Sequence, residues 1–212
     1  MCENQEIKII TKGGSGEIVE KKSRFICTVR PVKEESEVRD FFAEIKKKYW
    51  DAKHNCTAAV IGDNNEFARC SDDGEPSGTA GRPMLEVLIN EGYHNVAVVV
   101  TRYFGGVLLG TGGLVRAYQG AVKAGLASCE CKVKTRGYKY LITVSYNDYN
   151  KLNTYIATHN IIVADSEYAD SIKLTVILKN DERDSVIKDF VDATSGRAIV
   201  DDLGETDIEM NI

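Results

Sequence analysis

Three carboxylates fall within four positions at Asp72, Asp73 and Glu75, and His54 lies in a segment that could run beside them. Clustered hard oxygen ligands suit a Mg²⁺ ion, and neighbouring carboxylates suit a general acid/base pair. The same residues also suit a solvated turn, in which aspartates accept hydrogen bonds from backbone N–H groups. Both readings stand at this level, and acidic turns outnumber sites. A second kind of chemistry is anion contact. One glycine-rich stretch, Ser71 to Arg82, contains Gly74, Gly78 and Gly81, and another runs from Gly105 through Gly106 and Gly110 to Gly112 and Gly113. Each leads into a helical pattern, and free N–H groups at a helix start attract anions. Arg82, Arg102 and Arg116 lie in or beside these stretches, and a guanidinium fork suits phosphate.

Neither stretch is a known nucleotide fingerprint. Thr111 follows Gly110 where a Walker A loop needs lysine, and Val115 stands where a third dinucleotide-binding glycine would be. No G-x-S-x-G elbow occurs. His54 and Cys56 share one face of a strand, and nothing marks Cys56 as an acidified thiol. None of the six cysteines forms a C-x-x-C pair, so a zinc site is not expected, and no cofactor is expected either.

These residues must be held by regular elements. Residues 17–32 alternate with Phe25, Cys27 and Val29 on one face and read as one strand; residues 34–49 read as a helix ending in Lys46, Lys47 and Lys48. Strands are expected at 52–61, 66–70 and 96–101, the last apolar on both faces. Helices are expected from Pro83 and from Leu114 to about Cys129. The pattern then restarts: strand 138–144, helix 148–158, strands 161–168 and 172–178, helix 182–194, strand 198–203. That order, β-α-β-β-α-β, is the ferredoxin-like split unit. Two domains are expected, 1–134 and 137–212.

The chain of 212 residues is 43% hydrophobic and 28% charged, a globular composition that excludes disordered, collagen-like and coiled-coil classes. Its longest aliphatic run, Val96 to Val100, is far short of a membrane span. The opening residues show no export signal, so a cytoplasmic protein without membrane contact is expected. Residues 1–134 hold 19 basic and 18 acidic side chains, whereas residues 135–212 hold 8 and 14. A polyanion should therefore dock on the first part, and the acidic second part should face protein or solvent.

Four strings carry a resemblance: Lys22 to Phe25; Ala52 to Cys56; Asp72 to Gly81; and Val98 to Gly106 continuing through Gly110 to Tyr118. Together they resemble the IMPACT/YigZ family over nearly the whole chain. The resemblance implies an α+β protein with a ribosomal protein S5 domain 2-like N-terminal domain and a ferredoxin-like C-terminal domain. That pairing is similar to the fourth and fifth domains of elongation factor G. The family's eukaryotic branch regulates translation through an N-terminal RWD module, which is expected to be absent here. The preferred expectation is a non-enzymatic translation regulator contacting RNA or the ribosome. Arg24, Lys53, Arg82, Arg102 and Arg116 would touch phosphates, with Gly78, Gly81, Gly112 and Gly113 admitting them to the backbone. One alternative is a metal-dependent enzyme or phosphorylated-ligand binder built on His54, Asp72, Asp73 and Glu75. A second is a protein–protein adaptor using the acidic C-terminal domain.

Overall fold

The computed structural model describes residues 6–211, and all but the two end residues fall into two units, Ile7–Val133 and Lys134–Met210. Both mix sheet and helix.

In the first unit, alternating apolar residues build strands β1 (Ile7–Lys12), β2 (Ser15–Glu20), β3 (Ser23–Pro31), β4 (His54–Ile61), β5 (Phe67–Ser71), β6 (Tyr93–His94) and β7 (Val96–Tyr103). An antiparallel five-stranded sheet runs β2-β3-β7-β4-β5. β7 is central and buried on both faces, as its unbroken apolar run requires. Helix α1 (Glu35–Lys48) covers one face, packing Val38, Phe41 and Ile45 on Ala59, Ala97 and Val99. Helices α2 (Gly81–Asn90) and α3 (Thr111–Leu126) cover the other, with Met84, Leu88, Tyr118 and Val122 on Phe25, Cys27, Cys56, Val98 and Val100. β1 pairs in parallel with β6.

Several boundaries differ from the sequence reading. The single strand expected over 17–32 is a hairpin, because Lys21 and Lys22 turn the chain with φ of 44° and 67° while Glu20 pairs with Ser23. Such a two-residue turn favours Asn-Gly, and a left-handed lysine costs roughly 1–2 kcal/mol. Ile7–Lys12 forms a strand that the pattern reading passed over. Pro83 is the third residue of α2 rather than its first, and α3 starts three residues early, taking Gly112 and Gly113 into its first turn.

Strand β8 (Glu130–Val144) carries the chain into the second unit, and is twice as long as the expected strand over 138–144. There α4 (Tyr146–Thr158), β9 (Ile162–Tyr168), β10 (Ile172–Lys179), α5 (Arg183–Ala193) and β11 (Ile199–Asn211) follow. β10 lies between β8 and β9, antiparallel to both, and β11 pairs with β8. Leu152, Ile156, Val186 and Phe190 of the helices pack on Ile142, Leu174, Val176 and Leu178. β11 runs well past the expected Leu203; Gly204, with φ of 92°, interrupts the alternation that would have shown it.

One charged contact of the second unit ties the start of α4 to the segment after α5. Asp148, in the first turn of α4, takes a bidentate pair from Arg197 at 2.7 and 3.0 Å, and Ser145 caps the helix beside it. Hydrogen bonds from Arg197 hold this carboxyl down at about 2, below its ordinary 3.8. A depressed carboxyl stabilises the folded state above its ordinary value and ceases to do so as pH falls through the folded value. Thermal melts of the second unit should therefore lose stability between about pH 4 and about pH 2. Asp148→Asn should be less stable at neutral pH and flatter across that interval.

Candidate functional site

One end of the five-stranded sheet gathers almost every residue singled out by sequence. β3 and β4 begin there and β7 ends there, so that Phe25 and His54 both stand opposite Arg102. The β2–β3 turn, the C-terminus of α1, the 72–81 loop and the 104–110 loop close over it.

At its centre is a buried polar chain. Arg102 projects from β7 towards α2 and α3, where its Nη1 donates to Glu75 Oε1 at 2.6 Å. Tyr118 Oη donates to the same oxygen at 2.8 Å. The Cys56 thiol reaches Tyr118 Oη at 3.3 Å and the Asp72 carbonyl at 3.0 Å. The side chains of Arg102 and Glu75 are 8% and 3% exposed, so this pair is sealed from solvent. Arg102 Nε has no acceptor; the guanidinium lies instead against the Phe25 and Phe104 rings, 5.4 and 5.5 Å from their centroids. Ring faces compensate part of that lost hydrogen bond. Burial pushes the Cys56 thiol up to about 12, so it is no nucleophile, and burial likewise raises the Tyr118 hydroxyl.

The carboxylates diverge. Asp72 accepts from the amides of Gly78, Ala80 and Gly81 at 2.8, 3.0 and 2.8 Å. Burial works against its charge, but these three donors outweigh it and hold the carboxyl below its ordinary value. Asp73 accepts from the Asn55 amide at 2.8 Å and pairs with Lys46 at 3.2 Å, while His54 Nδ1 reaches its carbonyl oxygen at 2.9 Å. Glu75 is spent on Arg102 and Tyr118. Among the described residues no group of three histidine, cysteine or acidic side chains could hold a metal ion. The metal reading of His54, Asp72, Asp73 and Glu75 is corrected on this point, because each carboxylate already has its own protein partner.

The anion reading is also redrawn. At the start of α2 the protein supplies its own anion, since Asp72 occupies the amides of Gly78 and Gly81. Gly81 is required for a different reason: a Cβ there would meet the Ser71 backbone at 2.7 Å. Arg24 pairs with Glu17 at 2.8 Å and Arg82 with Glu86 at 3.2 Å, and Arg102 is buried. Lys53 and Arg116 remain exposed, with no ion pair among the described residues. Gly112 and Gly113 lie in the first turn of α3, which has no acidic residue and no side-chain cap. A cavity of about 230 Å³ opens beside it, lined by Ile18, Glu20, Lys21, Leu109, Gly113, Arg116 and Ala117.

Sequence reasoning missed Lys21, whose place in an unsuspected turn hid it. It also missed two aromatics at this end. Trp50 is 82% exposed, and its neighbours Tyr49 and Asp51 are tied to Asn55 and Tyr103. Phe104 is 55% exposed. Large exposed aromatics were the available signal.

Comparison with known proteins places this architecture. The family model described as the Impact N-terminal domain matches residues 21–126, and a domain of unknown function, DUF1949, matches residues 142–197. "IMPACT family member YvyE" of Bacillus subtilis (strain 168) is 36% identical over 89% of this chain and 87% of its own length. "IMPACT family member YigZ" of Escherichia coli (strain K12) is 36% identical over 74% and 78%. A solved structure titled "Crystal structure of an hypothetical protein" is 30% identical and superposes with a TM-score of 0.58, covering 92% of this chain and 96% of that one.

The divergent carboxylates make unequal predictions. Glu75→Gln leaves the buried Arg102 charge uncompensated and should cost about 3–5 kcal/mol in urea unfolding of the first unit. Asp73→Asn keeps an oxygen for the Asn55 amide and loses only the contact with exposed Lys46, which should cost under about 1 kcal/mol. Equal losses would contradict this division of roles.

Proposed function

The chain belongs to the IMPACT family, and on that premise we propose that it is a non-enzymatic translation regulator whose first unit contacts RNA, free or within the ribosome. The observation that carries the reading is the make-up of one sheet end. Among the described residues Lys53 and Arg116 stand there without an ion pair, and Lys47 and Lys48 at the end of α1 add to them. Exposed Trp50 and Phe104 stand at the same sheet end, in the segments before β4 and after β7. Cations without internal partners suit phosphate oxygens, and exposed rings suit the faces of unpaired bases. Contacts of this kind are indifferent to sequence. Arg102 is given up as a phosphate ligand, since its guanidinium is buried against Glu75. The exposed pairs of Arg24 and Arg82 are weak enough to yield to a phosphate.

The uneven charge of the chain fits this reading, in which the acidic second unit meets protein or solvent. The same reading takes the first unit as S5 domain 2-like and the second as ferredoxin-like. The β-α-β-β-α-β order and the central place of β8 and β10 support the latter. No helix among the described residues is long and apolar enough to cross a membrane.

The test is titration of the intact protein with a single-stranded RNA oligonucleotide, followed by Trp50 fluorescence. Four phosphate contacts should weaken binding roughly 50-fold between about 50 and about 200 mM salt. Lys53→Ala and Arg116→Ala should each flatten the salt slope by about 0.7. Affinity independent of salt, or RNA that leaves Trp50 unperturbed, would contradict the proposal.

A further inference from the structure

Lys21 and Lys22 form the whole of the β2–β3 turn, and both have positive φ. Left-handed backbone disfavours lysine, and a two-residue hairpin turn of this kind favours Asn-Gly. The fold uses the backbone of this turn closely. A Cβ on Gly105 would meet the Lys22 carbonyl carbon at 2.0 Å, and the Gly105 amide donates to Ser23 Oγ at 3.1 Å. It makes no use of the side chains: both lysines are exposed, and neither has an ion pair or hydrogen bond among the described residues. Lys21 instead lines the cavity of about 230 Å³ that Arg116 enters from α3, with Glu20 the one carboxylate on its wall.

A strained residue whose side chain contributes nothing to the fold points to a role outside it. We propose that Lys21 and Lys22 are phosphate-contacting residues, and that Lys21 and Arg116 grip one backbone phosphodiester of a bound RNA at this cavity. The proposal rests on the RNA reading above and adds its ligand-gripping turn. The hairpin tip carries its charge outward, and the glycine-rich loop beneath holds its backbone in place.

The experiment uses the intact protein and its K21N/K22G variant, which has the turn that the backbone favours. Each is measured by thermal melting and by binding to a single-stranded oligouridylate across a salt series. The variant should melt at a higher temperature and yet bind about tenfold more weakly, with the salt slope reduced by about 1.4 for two lost contacts. K21R/K22R, which keeps the charge, should bind as the parent does. If the parent binds and K21N/K22G binds equally well, this proposal is overturned and the RNA reading stands. A lower melting temperature in K21N/K22G also overturns it, because the lysines would then be serving the fold. If the parent itself fails to bind, the RNA reading fails and takes this proposal with it.

Discussion

The buried contact between Glu75 and Arg102 is the constraint on which the rest of this end depends. A guanidinium and a carboxylate removed from water are tolerable only as a pair, so wherever Arg102 projects from β7, Glu75 must follow. That fixes the middle of a loop with no regular structure of its own. Asp72 fixes it again by accepting three of its amides, and Asp73 ties it to the start of β4. Tyr118 brings α3 to the same carboxylate. One helix, one loop and the sheet are thereby set around a single oxygen atom, Glu75 Oε1, and a firm platform results.

Much of this was legible in the residues. The both-faces-buried β7, the amphipathic α1 and the order of elements in the second unit follow from apolar periodicity alone. What periodicity could not show was partner choice. Three carboxylates in four positions look alike on paper, yet one closes a helix start, one latches a strand and one neutralises an arginine. The same blindness applied to the cations. Arginines in glycine-rich surroundings suggest phosphate, but Glu17, Glu86 and Glu75 had already claimed Arg24, Arg82 and Arg102. The Lys21-Lys22 turn was hidden for a related reason, since lysine is no turn signal and the alternation runs straight through it.

Charge is thus sorted by depth. Negative groups face inward at the loop, where amides and Arg102 meet them. Unpaired positive groups face outward along the rim, with Trp50 and Phe104 at the same sheet end. A unit of nearly balanced overall charge can in this way offer a locally cationic, aromatic end without any excess of basic residues.

The most direct measurement of this sorting is an amide chemical-shift map of the protein on addition of single-stranded RNA. The account predicts movement at residues 21–22, 50–53 and 104–116. It predicts none at Gly78, Ala80 and Gly81, whose N–H groups Asp72 already holds. Shifts centred on the 72–81 amides, or confined to the second unit, would contradict it.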